Sequence, residues 1–225
     1  MSDLTSIILA GSTGLIGHHL LNSALKNEEI QHVYSLTRRP LDDICSKLIQ
    51  VINPELSIDK EQVKDNVPKV GFITLGTTIK KAGSKSALKA IDVSLVVSVA
   101  QSMHDIGVER IYVVSCIGAS SSAFSHYLKC KGEMEDKVAD IGFKQVTFMQ
   151  PGPLSGSRTE PRTDEAFLQG VMKVMNPLMK GFLLNYKPIH GELVAQCMLE
   201  LALKNNHDNG IVRYTSREMF ALVEQ

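Results

Sequence analysis

Seven short apolar runs, separated by longer amphipathic stretches, constrain what this chain can fold into more than any other feature. They cover Ser6–Ala10, His32–Thr37, Leu48–Ile52, Val70–Leu75, Arg110–Ser115, Gln145–Gln150 and Ile211–Thr215. The runs are near-continuously apolar rather than alternating, as strands covered on both faces require. Between them, helical periodicity predicts helices over about 15–26, 84–106, 122–140, 190–204 and 216–224. Strand and helix in alternation predict βαβ units on one parallel sheet, an α/β fold of the Rossmann-type doubly wound kind. With 225 residues the chain can build a single such domain over 1–225 with a large core, and it is short for two.

One stretch breaks the alternation. From Pro151 to Pro188 the chain is first loop-rich, with Pro151, Gly152, Pro153, Gly156 and Pro161, and then Met-rich from Phe167 to Leu184. Insertions at the carboxyl ends of strands shape the ligand crevice in doubly wound folds. The segment 151–189 is therefore expected to be a small substrate-covering insert. A helix packing Met172, Met175 and Met179 into the core accounts for the same pattern.

Charge and cysteine content weigh against several functions. Apolar residues at 44% and charged residues at 21% suit a globular domain, and 24 Lys and Arg balance 24 Asp and Glu. No charge block suggests a nucleic-acid arm or a polybasic membrane patch. Cys45, Cys116, Cys130 and Cys197 are scattered, so they read as free thiols in a reducing compartment, with neither disulfide nor metal site. The N-terminus has no basic leader, and the apolar run Ile7–Ala10 is too short for a signal peptide or a membrane span. A cytoplasmic location without a membrane span is the expectation.

Gly11-Ser12-Thr13-Gly14-Leu15-Ile16-Gly17 directly follows the first strand and opens the first helix. The first glycine permits a tight turn, the second lets backbone N–H groups approach a pyrophosphate, and the third allows close packing of helix on strand. The helix N-terminus adds a positive dipole. Such a string arises by chance often enough that its place between strand and helix carries the argument. The second strand ends Thr37-Arg38-Arg39-Pro40, with no carboxylate to hold a ribose 2′-hydroxyl. A guanidinium there can instead grip a 2′-phosphate, which points to NADPH, with Arg38 the first candidate and Arg39 the second.

Tyr127 and Lys131 form a Tyr-x-x-x-Lys in a predicted helix, placing phenol and ammonium on one face. A phenol ordinarily titrates near 10, and a neighbouring cation lowers that, which makes it a usable acid or base for carbonyl reduction. Met134 and Val138 extend the same face, so a half-buried core tyrosine beside a snorkelling lysine fits the pattern as well. Ser115 ends the fifth strand, where a hydroxyl can reach a substrate carbonyl; Cys116 and Ser120 to Ser122 are rivals nearby. Asp92 falls on an apolar face with Leu88, Leu95, Val96 and Val99. A buried carboxylate needs a partner, here a backbone group, a water or Lys131. His18, His19, His104 and His126 show no metal-ligand spacing, and His126 projects from another face than Tyr127.

In this order the glycine loop, Thr37-Arg38-Arg39, Leu75-Gly76-Thr77-Thr78, Ser115, Tyr127-x-x-x-Lys131 and Gln150-Pro151-Gly152-Pro153-Leu154 resemble the short-chain dehydrogenase/reductase superfamily, in its atypical branch. Leu75 to Gly83 and Tyr127 to Val138 are similar to the Tat-interacting protein (CC3-like) group, and Pro188 to Ala195 to related atypical members. The resemblance implies Tyr127 as proton donor, Lys131 as holder of the nicotinamide ribose and Ser115 as orienter of the carbonyl. It also implies that Leu75, Gly76 and Thr77 line the cofactor and that Pro151, Gly152 and Leu154 back the nicotinamide. Asp92 stands where most superfamily members carry an asparagine, a departure that touches the proton relay.

Two functions follow. One is an NADPH-dependent oxidoreductase acting on a small-molecule carbonyl or alcohol. The other is a non-catalytic NADPH-binding regulator, with the Met-rich insert as a protein-binding surface. A nucleotide-sugar epimerase fits less well, because the region after Pro151 is small. The sequence leaves open a homodimer or a regulatory protein partner.

Overall fold

In the computed structural model, residues 5–42, 45–63, 67–155, 181–204 and 209–224 are described. All seven apolar runs form strands: β1 (Thr5–Ala10), β2 (Ile30–Thr37), β3 (Leu48–Ile52), β4 (Val70–Ile73), β5 (Arg110–Val114), β6 (Gln145–Gln150) and, near the end, β9 (Gly210–Thr215). They pair parallel throughout, in the order β3-β2-β1-β4-β5-β6-β9. Among the described residues the α-helices are α1 (Leu15–Lys26), α2 (Ile79–Ala82), α3 (Lys85–Lys89), α4 (Val96–Asp105), α5 (His126–Ala139), α6 (Gly191–Leu203) and α7 (Ser216–Val223). A π-helical stretch, Ala90–Leu95, joins α3 to α4 without a break.

The pleat of β1 shows why the fold has two cores. Successive side chains point to opposite faces: Ile8 and Ala10 pack with α4 and α5, whereas Ile7 and Leu9 pack with α1 and α6. Both sets are essentially fully buried. The continuous helix Lys85–Asp105 is long and apolar enough to cross a membrane by composition alone. Here its Leu88, Val96, Val99 and Met103 are buried against the sheet, and Asp92 sits at 0% exposure, so it serves as a core helix.

The Pro151–Pro188 segment is described only at its ends. Two short strands, β7 (Leu154–Ser155) and β8 (Ile189–His190), pair parallel and tie those ends together. Phe167, Met172, Met175 and Met179 lie outside the described residues, and with them the choice between substrate cover and core helix.

Candidate functional site

The helix after β1 lies on one face of the sheet and the helix after β4 on the other. Strand order therefore reverses between β1 and β4, and the carboxyl ends of these two strands open a crevice. The glycine loop fills its floor. Gly11 adopts φ +96°, and a Cβ there would lie 2.6 Å from Thr74 Oγ1. The Thr74 hydroxyl donates to Gly11 O at 3.0 Å, binding the loop to the end of β4. A Cβ on Gly17 would fall 2.0 Å from Gly11 O, so α1 can approach β1 this closely only with glycine. Gly14 is the N-cap of α1 and offers no side chain to its first turn. The N–H groups of Leu15, Ile16 and Gly17 consequently face the crevice end of the helix, a built cradle for an anion. Ser12 is buried and accepts a hydrogen bond from Ser35 at 2.8 Å, while Thr13 is exposed. The loop thus fits a dinucleotide pyrophosphate.

At the end of β2, Thr37 is buried, and its hydroxyl donates to Arg39 O at 2.6 Å. That closes a turn from which Arg38 and Arg39 project into solvent. Arg38 Nε donates to Pro54 O at 3.1 Å.

The third cluster forms around α5. Lys131 Nζ stands 2.8 Å from Asp92 Oδ1, and both side chains are nearly inaccessible, at 4% and 0%. The approach is off-axis, so this is a charge contact rather than an aligned hydrogen bond. Asp92 Oδ2 accepts the Thr77 N–H at 2.8 Å. Asp92 therefore meets a backbone group and Lys131 at once. A Cβ on Gly76 would lie 3.4 Å from each charged atom, so the exposed Gly76 covers the pair on the crevice side while Leu75 is half-buried behind it. Asp92 belongs to the π stretch, where an extra residue in the turn brings Asp92 and Val93 inward together.

Ser115 follows β5, held by its N–H to Met149 O at 2.7 Å. Its side chain is 4% exposed, and its Oγ has no hydrogen-bond partner among the described residues. Cys116 lies beside it. Burial pushes the Cys116 thiol up to about 11, against the pull of Lys131 and of a hydrogen bond with Tyr127. Tyr127 is thereby placed one turn before Lys131 and next to the residue that follows Ser115. The rivals are otherwise engaged: Ser120 and Ser122 share a hydrogen bond at 2.9 Å, and Gly132 of α5 rides on the Ser120 backbone. His126 contacts Lys85 O and Cys130 Sγ, away from this cluster.

Beyond Gln150, Pro151 is buried, and its carbonyl accepts the Ile117 N–H at 3.0 Å. The Gly152 N–H donates to Ser216 Oγ at 2.8 Å, and a Cβ on Gly152 would strike Asn185 O at 2.2 Å. Leu154 is half-buried in β7, beside Ile189. Sequence reasoning missed Thr74, Ser35, Pro54, Glu135 and Ser216. A hydroxyl at a strand end was the available signal for Thr74. Glu135, two turns after Tyr127, is buried and holds Gln150 at 2.8 Å and Arg213 at 2.9 Å, which joins α5 to β6 and β9.

The chain matches the NAD(P)H-binding family across residues 11–204, from the first glycine of the loop to the end of α6. It belongs to that family. Among similar proteins, Protein FMP52, mitochondrial, of Eremothecium gossypii is 31% identical over 223 residues, 97% of each chain. Its namesake in Debaryomyces hansenii is 30% identical over 201 residues, 88% of this chain and 87% of that one. In shape, the oxidoreductase ylbE of Lactococcus lactis superposes with a TM-score of 0.64 at 16% identity, covering 98% of both chains. The UDP-glucuronic acid 4-epimerase of Bacillus cereus, in complex with NAD, gives 0.65 at 11% identity over 98% of this chain and 85% of that one. At such identities these likenesses establish the fold alone. The mitochondrial relatives overturn the expectation of a cytoplasmic protein. Scattered free thiols suit a reducing compartment, and such compartments are not confined to the cytosol.

Proposed function

We propose that this NAD(P)H-binding protein is an NADPH-dependent oxidoreductase of the atypical short-chain dehydrogenase/reductase kind, similar to the CC3-like group, acting on a small-molecule carbonyl or the matching alcohol. The observation that carries this reading is the buried Ser115 hydroxyl, without a hydrogen-bond partner among the described residues, beside the Cys116–Tyr127 contact. A buried polar group with no partner costs about 1–3 kcal/mol, a cost expected where the partner is a ligand atom. Ser115 would donate to the substrate oxygen and Tyr127 would give it a proton. Lys131, fixed by Asp92, would hold ribose hydroxyls, and Leu75, Gly76 and Thr77 would line the ribose. The first turn of α1 would bind the pyrophosphate and Arg38 the 2′-phosphate, with Arg39 beside it. Pro151, Gly152 and Leu154 would form the wall behind the nicotinamide. The chemistry supplied by bound NADPH is hydride donation to the carbonyl carbon.

Calorimetric titration with NADPH and NADH, followed by NADPH oxidation with a panel of aldehydes, ketones and quinones, tests the proposal. Wild type should bind NADPH more tightly and turn over some member of the panel. Tyr127→Phe should bind NADPH within a few-fold of wild type and lose about 100-fold or more in turnover. Retained turnover in that variant would reject Tyr127 as the acid. One observation favours the regulator reading instead: the Lys131 ammonium already faces a carboxylate, which cancels part of its field at the phenol. Tight NADPH binding with no turnover across the panel would decide for it.

A further inference from the structure

The chain turns sharply after β3, and one asparagine organises the turn. Asn53 N–H donates to Thr37 O at 2.9 Å, extending the β2–β3 pairing past the last strand residue. Its Oδ1 accepts the Glu55 N–H at 2.7 Å, and its Nδ2 donates to Ser57 Oγ at 2.8 Å and to Ser57 O at 3.2 Å. Leu56 N–H closes on Asn53 O at 3.2 Å, and Leu56 takes the left-handed φ of +57° while its side chain stays buried in the core. That conformation is unfavourable for a residue with a Cβ, so the Asn53 bonds and the burial of Leu56 are what hold it. The outcome is one backbone carbonyl, Pro54 O, presented to β2, where it receives Arg38 Nε at 3.1 Å.

We infer that Asn53 is a positioning residue for cofactor selectivity: it fixes the Pro54 carbonyl, which pins Arg38 by Nε and leaves both Nη groups free to grip a 2′-phosphate. The inference rests on the reading of the protein as NADPH-binding. A guanidinium has five N–H donors in a planar fork, so using Nε still leaves a two-pronged edge for an anion. A pinned side chain has already given up its rotamer freedom, and so binds its anion at a smaller entropic cost than a free one. NADH carries a hydroxyl where NADPH carries that phosphate, so the device acts on one nucleotide and is silent toward the other.

The test is calorimetric Kd measurement for NADPH and NADH on the full chain, for wild type, Asn53→Ala, Ser57→Ala, Arg38→Ala and the Asn53→Ala/Arg38→Ala double variant. Asn53→Ala should weaken NADPH about five- to tenfold and leave NADH within about twofold, and the double variant should bind NADPH no more weakly than Arg38→Ala alone. Ser57→Ala removes one of the same bonds and should act in the same direction, which keeps the test open if Asn53→Ala does not fold. Equal wild-type affinity for the two nucleotides would overturn the NADPH reading itself, and the inference with it. Wild-type preference for NADPH would overturn the inference alone if Asn53→Ala weakened both nucleotides equally, or if the double variant summed the two losses.

Discussion

At the scale of single residues, the Asp92–Lys131 pair makes the sharpest demand on the fold. Two full charges sit 2.8 Å apart with almost no access to water, and each depends on the other for compensation. Asp92→Asn keeps an oxygen for the Thr77 N–H but leaves the Lys131 ammonium buried and unanswered. Removing one partner of such a pair costs about 3–5 kcal/mol, and urea unfolding of this variant should show a loss of that size. Replacing both together, Asp92→Leu with Lys131→Met, should cost less than the two single changes summed. The spacing of Leu88, Val96 and Val99 makes the burial of Asp92 legible in the sequence, and Lys131 is among its readable partners. Thr77 is not, because a loop N–H fifteen residues upstream leaves no mark on a helical pattern. Arg38 stands out in the sequence through a missing carboxylate, while its contact with Pro54 O depends on a turn that sequence reasoning leaves blank.

At the scale of elements, legibility follows how repetitive the burial is. β1, β4, β5 and β6 are covered on both faces and read directly as apolar runs, and the long helices follow from their amphipathic period. The π stretch stays hidden because one extra residue in a turn alters hydrogen-bond partners without altering composition. α2 is only four residues, capped by Thr78 and Gly83, and too short to show a helical period, so it is absent from the predicted helices. The glycine loop gives an element-level prediction with an internal control. In Gly17→Ala the new Cβ would meet Gly11 O, a backbone atom that cannot move without shifting α1 off β1. The expected loss is about 1–3 kcal/mol or more, with NADPH affinity falling as the helix tilts. Gly83→Ala meets nothing within 4 Å and suffers only from its φ of +83°, so its thermal midpoint should drop less and its NADPH affinity should hold. Equal behaviour of the two variants in thermal melts and titration would refute this account of the loop.

At the scale of the whole molecule, ligand and pH act on the same folding equilibrium. NADPH at a hundred times its Kd should stabilise the fold by about 2.7 kcal/mol, a rise of about 5–11 °C in Tm for a domain of this size. On the alkaline side, burial pushes the Cys197 thiol up to about 12 and raises Tyr112, whose hydroxyl donates to Leu201 O. In the unfolded chain a thiol ionises near its ordinary 9.0, so the folded form holds its proton longer. Stability is therefore complete below about pH 9 and drains away as pH rises toward the folded values. Urea midpoints between about pH 8 and about pH 11 should fall for wild type and fall less steeply for Cys197→Ala. The strand order carries one more consequence, for synthesis. Reading outward from β1, strand number rises on both sides, through β2 and β3 one way and through β4, β5, β6 and β9 the other. Every strand leaving the ribosome thus finds its docking neighbour already made, and no seam has to be prised open to admit a latecomer. A nascent chain arrested just past β4 should already shield the amides of β1 from exchange, with the far edge added last.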